Sequence, residues 1–119
     1  MNSHGNLYDF NVELMLREGQ EHEKRESFGK ALELYQRAVQ LNSNYAPAHF
    51  CRGVVLAKMG LWPDAASAYR EAIRLQPEHK EAHANLGFVY YEMGFEAEAQ
   101  TEFDCAIKLG GLARPAGKM

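Results

Sequence analysis

Five histidines and two cysteines are the residues in this chain that could ligate a metal ion or move a proton. His79 and His83 stand four apart, a spacing that puts two imidazoles on one face of a helical turn, where they could share a metal. No third ligand accompanies them, and Pro77 places His79 in a turn, so a structural or surface role is expected for both. His22-Glu23 opens like the helix of a zinc protease, but Glu26 stands four residues after His22 where a second histidine is required. Cys51 and Cys105 fall on helices of different units and are expected to be free thiols, not a disulfide. No nucleophile is paired with an ordered base, and no glycine-rich loop could cradle a phosphate. The chain therefore reads as a non-enzyme with no metal and no cofactor.

Composition excludes other classes. The 119 residues carry a net charge of −3, with no basic excess to serve as a footprint for nucleic acid. No apolar run approaches the roughly 20 residues needed to insert in and span a bilayer. The N-terminus lacks a basic stretch followed by an apolar core, so no secretory signal is read there and a cytoplasmic protein is expected. The length suits one domain with a real core.

The elements that would position any site come from a repeat. Gly19, Gly53 and Gly87 follow one another at a step of 34 residues, with no insertion or deletion. The same step links Ala31, Ala65 and Ala99; Tyr35, Tyr69 and Phe103; Ala38, Ala72 and Ala106; and Leu41, Leu75 and Leu109. Helices cross closely only where side chains are small, which accounts for the glycine and the two alanine series. The aromatic series fills the space those residues leave on the opposite helix. Within a unit the apolar residues recur at helical spacing, as in Ala65, Ala68, Tyr69, Ala72 and Ile73. One such helix pair cannot bury its apolar faces alone, whereas a stack of about three can.

These positions resemble the tetratricopeptide repeat (TPR) family. The third unit carries Leu86-Gly87, Tyr90, Ala99, Phe103 and Ala106; the second Gly53, Ala65, Tyr69, Ala72 and Pro77; the first Gly19, Ala31, Tyr35 and Ala38. Departures are Glu18 and Arg52 before the glycine, and Ser43 and Gly111 at the closing proline position. The resemblance implies an all-α fold, a solenoid of three antiparallel helix pairs with six helices. The units are expected at 12–45, 46–79 and 80–111, between an N-terminal segment 1–11 and a flexible tail 112–119. Met1–Asn6 is read as mobile, and Leu7, Tyr8 and Phe10 as extending or covering the first helix, with docking on another molecule as the alternative. Ser27 is a candidate N-cap, Pro47 and Pro63 fit first turns, and Gly60 and Gly94 close helices. Pro115 and Gly117 leave the tail without a helix to cover the last repeat, so the flank near Ile107 and Leu109 is a candidate self-association surface. His49 and His83 occupy equivalent positions, where amphipathic core filling is expected.

The family resemblance also implies a concave, ligand-facing surface made by the first helix of each unit. It assigns Leu16, Arg17 and Gln20 to that surface in the first unit; Phe50, Cys51, Val54 and Lys58 in the second; and Glu81, Asn85, Phe88 and Tyr91 in the third. Phe50, Cys51, Val54, Ala57, Phe88 and Tyr91 make an apolar stripe beyond what folding needs, with Ala57 and Tyr91 the members expected to be drawn into ordinary repeat packing. Asn85 is similar to the asparagine with which family members hold a peptide backbone. Members that grip a chaperone's C-terminal carboxylate carry Lys, Asn, Asn, Lys and Arg where this chain has Leu16, Gln20, Cys51, Glu81 and Asn85. No cation remains there, so that subtype is rejected. Two functions follow as expectations. One is an adaptor, scaffold or chaperone-like module that binds an extended peptide or amphipathic helix of a partner protein. The other is a structural protein that assembles into homo-oligomers through the groove, the N-terminal segment or the last helix.

Overall fold

The structure is a computed structural model that describes the backbone of residues 3–110 and the side chains of residues 11–110. Six helices follow one another: α1 (Ser3–Lys24), α2 (Phe28–Leu41), α3 (Ala46–Lys58), α4 (Trp62–Leu75), α5 (Lys80–Glu92) and α6 (Glu96–Lys108). No strand occurs among the described residues. The described residues form an all-α solenoid of three antiparallel helix pairs, as expected. The tail 112–119 lies outside the described residues, as do the side chains of Leu7, Tyr8 and Phe10. From Ser3 onward the N-terminal segment is helix, the first turns of α1, and this includes Ser3–Asn6, which the sequence reads as mobile. Between Ser3 and Val12 only Gly5 opposes a helix, at a cost of about 1 kcal/mol.

Each pair crosses at its glycine. A Cβ added at Gly53 would stand 2.7 Å from the Tyr69 ring, and one at Gly87 the same distance from Phe103, so the aromatic ring of the second helix rests on the bare backbone of the first. The alanines of the repeat, Ala31, Ala38, Ala65, Ala72, Ala99 and Ala106, are all buried, which lets the helices approach. Two core clusters result. One joins the first pair to α3 around Tyr35, Val12 and Val55, and the other joins the second pair to α5 around Tyr69, Leu86 and Val89.

The turns inside the pairs share one geometry. Ser27 N–H donates to the His22 carbonyl at 2.8 Å, Leu61 to Leu56 at 3.0 Å and Phe95 to Tyr90 at 2.8 Å, the six-residue closure of a Schellman motif. That closure needs a left-handed residue one position earlier. Gly60 and Gly94 supply it, but in the first pair the position is held by Glu26, at φ 61°. A side chain there is strained by about 1 kcal/mol. Glu26→Gly is therefore expected to raise stability by about 0.5–1 kcal/mol in urea titration; a decrease would contradict this reading. Ser27 does stand at the N-cap of α2, but its hydroxyl makes no cap bond, because the Schellman closure sets its backbone outside the extended conformation a cap requires. Pro47 and Pro63 sit in the first turns of α3 and α4.

The loops between pairs are clamped by histidines. His49 Nε2 lies 2.9 Å from the Ser43 carbonyl, and His83 Nε2 lies 2.8 Å from the Pro77 carbonyl, one repeat later. Both rings are buried, yet they do more than fill space: each ties its helix to the preceding loop.

Candidate functional site: the inner helix layer

Contacts between successive pairs show which helices form the inside of the curve. Among the described residues α1 touches α3 and α3 touches α5, whereas α2, α4 and α6 do not touch one another. The first helices therefore form the tighter, inner layer, and all eleven candidate residues lie on it.

Their fates differ. Leu16 and Cys51, read as groove residues, are 5% and 8% exposed and belong to the first core cluster. They are the floor of a cleft, not side chains presented to a ligand, because α1 and α3 approach closely enough to cover them. Phe50 and Val54 are half-buried and packed against the second core cluster. The Phe50 ring stacks on His79 at 4.7 Å and tilts against Tyr69 at 5.7 Å. Phe88 and Tyr91 go the other way, at 50% and 59% exposed. Tyr91 was expected to be consumed by repeat packing and is not, since no described helix lies over that side of α5. The single apolar stripe is thus divided into a half-covered part on α3 and an open part on α5.

The covered part floors a cleft of about 310 Å³ between α1, α3 and the start of α5. Arg17, Gln20, Glu13 and Glu81 stand at its edge, with Tyr45, Pro47 and His79 along its side. Gln20 Nε2 donates to Cys51 Sγ at 3.7 Å. Tyr45 donates its hydroxyl to Glu13. Ala82 N–H donates to His79 Nδ1 at 3.2 Å, so that nitrogen is unprotonated, and its 3.6 Å approach to Glu81 is proximity instead of an ion pair. Tyr45 and His79 were missed as cleft residues. They are 34 apart and each precedes a first helix as its N-cap, so the repeat phase could have found them.

Lys58 is exposed and already holds an ion pair. Its ammonium pairs with Glu23 at 2.6 Å, and the same carboxylate accepts the Tyr35 hydroxyl at 2.7 Å. Asn85 Nδ2 donates to the Tyr69 hydroxyl at 3.3 Å. Trp62 meets Phe88 edge-on at 6.2 Å and widens the open aromatic part. Burial pushes the Cys51 thiol up to about 11, against the smaller lowering from Gln20, so it is an inert thiol at neutral pH. Burial also raises Tyr35 and Tyr69 well above the usual phenol range, with Glu23 adding to the effect at Tyr35. The described residues of the inner layer thus offer shape, apolar area and hydrogen bonds.

A family model described as TPR repeat matches residues 19–60 and 61–94. The chain belongs to the tetratricopeptide repeat family. Solved structures agree. A crystal structure of MamA is 28% identical, with a TM-score of 0.80 over 84% of this chain and 58% of that one. YrrB, described as a TPR protein with an unusual peptide-binding site, is 32% identical, with a TM-score of 0.78 over 83% of this chain and 51% of that one. This TPR chain therefore spans little more than half the length of either relative. The first TPR of Spaghetti (RPAP3) bound to an HSP90 peptide superposes with a TM-score of 0.84 over 87% of this chain and 82% of that one, but at 13% identity it speaks for the fold alone. No curated protein sequence matches the chain. No described helix is long and apolar enough to cross a membrane.

Proposed function

We propose that this TPR protein holds a segment of another protein, an extended peptide or an amphipathic helix, against the inner layer of α1, α3 and α5, as an adaptor, scaffold or chaperone-like module. The observation that carries the reading is the open pair Phe88 and Tyr91, one helical turn apart on a face that the fold leaves uncovered. Burying both against a partner would contribute about 1.5–3 kcal/mol each. The cleft at the other end of the layer would take a smaller side chain, and Glu13 and Glu81 against the single Arg17 favour a neutral or basic segment. The peptide-binding site described for YrrB supports the same reading. Two free cysteines suit the reducing cytoplasm we propose for it.

The test is Phe88→Glu combined with Tyr91→Glu. Both side chains are exposed, so the thermal midpoint should move little, by about 0.5 kcal/mol or less per site in stability. Proteins captured from the native host's extract by the parent chain should be lost by the variant. Retention of the same proteins would overturn the proposal. Phe50→Glu is the poorer probe, because its ring is stacked inside the fold.

A second reading, self-association, is favoured by α6, which touches only α5 among the described helices and ends on Leu109, 38% exposed. A single-chain mass by light scattering across a wide concentration range would remove it.

A further inference from the structure

We propose that His83, Glu102 and Cys105 bind a borderline-soft divalent cation of the zinc class, at a site separate from the inner layer. The sequence suggested His79 as the partner of His83, but His79 turns away to cap α5. The third hairpin instead brings two residues of α6 across to His83. Glu102 and Cys105 are three apart and share a face of that helix. One imidazole nitrogen, one carboxylate oxygen and one sulfur lie within 4.8 Å of one another.

The hydrogen bonds of His83 make this more than proximity. Its Nε2 is 2.8 Å from the Pro77 carbonyl, an atom that can only accept, so Nε2 carries a hydrogen. In the neutral ring the lone pair of Nδ1 then points at Glu102 Oε1, 2.8 Å away. Two lone pairs at that distance repel, and a positive centre has to lie between them. A proton would serve two atoms. The nearby sulfur supplies a third donor, and imidazole, carboxylate and thiolate together make a zinc-type set with a fourth position open to water. Tetrahedral zinc sets such donors roughly 3.3–3.6 Å apart, so the nitrogen and oxygen, 2.8 Å apart, would separate slightly and the sulfur, as much as 4.8 Å away, would draw in. The Nε2–H bond to a backbone carbonyl is the outer contact that fixes a ligating histidine's tautomer. His83 itself is buried, while Glu102 and Cys105 are half-buried, leaving a way in for an ion.

The second hairpin is a built-in comparison. His49 makes the same bond to a loop carbonyl, but Ala68 and Glu71 stand where Glu102 and Cys105 stand one repeat later. There Nδ1 has no hydrogen-bond partner among the described residues. Ring orientation is thus a property of the repeat, whereas among the described residues only the third hairpin gathers three such donors. An ion there would pin α5 to α6, the one second helix with no later described helix packed on it.

Cobalt(II), added to the reduced chain after treatment with a chelator, tests the site. One equivalent should give visible bands of tetrahedral cobalt with a near-ultraviolet thiolate charge-transfer band, and zinc should displace both. Cys105→Ser should abolish the charge-transfer band, and Glu102→Gln should weaken zinc binding by about tenfold or more. Cys51→Ser should leave both unchanged. Circular dichroism confirms the fold of each variant, since both α6 positions are half-exposed. Zinc should also shield Cys105 from a thiol reagent. Absence of the charge-transfer band, or equal zinc affinity in the parent and Cys105→Ser, would show that only a proton bridges His83 and Glu102 and would overturn the proposal.

Discussion

Replacing Tyr69 with alanine is expected to cost about 3–5 kcal/mol of folding free energy. Tyr69 is 2% exposed and holds three helices at once. Its ring lies on the bare backbone of Gly53 in α3, is flanked by Phe50 at 5.7 Å, and its hydroxyl accepts from Asn85 of α5 at 3.3 Å. The glycine cannot refill the volume, so truncation leaves a cavity between α3 and α4. In a stack where each hairpin is stable only against its neighbours, loss at the central unit reaches both ends. Against a typical total of about 5–15 kcal/mol, the variant should be close to unfolded at physiological temperature. Tyr69→Phe isolates the hydroxyl and should cost only about 1 kcal/mol. Urea titrations of the two variants beside the parent decide it. A loss below 1 kcal/mol for the alanine variant would mean that the central aromatic does not organise the stack.

Alkaline pH should unfold the protein cooperatively, beginning above about pH 9. Cys51, Tyr35 and Tyr69 all release their protons later in the folded chain than in the unfolded one, principally because burial disfavours the charged form. Above about pH 9 the unfolded state therefore binds fewer protons than the native state, and the free energy of unfolding falls as pH rises. The stabilisation is fully present below the unfolded values of 9.0 for the thiol and 10.0 for the phenols. It is lost as pH climbs towards the folded value, about 11 for Cys51 and higher for the tyrosines. Each buried group removes about 1.4 kcal/mol for every pH unit past its unfolded value, so the three together amount to several kcal/mol by about pH 11. Urea titrations at a series of pH values measure the slope. Tyr35→Phe should start from lower stability at neutral pH, having lost its bond to Glu23, and then decline less steeply. A stability that stays flat from neutrality to pH 11 would contradict the burial of these groups.

The partition of the inner face shows where sequence reading stopped. Phe50 and Phe88, three residues before and one residue after the shared glycine of their units, read in sequence as members of one apolar stripe. Phe50 is half-covered because His79, from the next hairpin, stacks on it, and the docking angle between hairpins decides that contact. Phe88 meets no such ring from a later described hairpin and stays open beside Trp62. Leu16 and Cys51 went to the floor for a related reason, the close approach of α1 to α3. The candidate ligands of His83 were hidden more completely. A search along the chain looks for partners within a turn or two, and Glu102 and Cys105 reach His83 only by folding back across a hairpin.

What the sequence determined by itself was everything that depends on local spacing. The step of 34 residues set the helix pairs, their crossing glycines, the aromatic rings that lie on them and the TPR architecture, because helical periodicity and side-chain size suffice to specify one hairpin. The tertiary structure alone decided which inner-layer side chains are buried and which stay exposed, and which groups meet across α5 and α6. Those outcomes depend on how one hairpin docks on the next, and contacts between residues far apart in the chain leave no period to read.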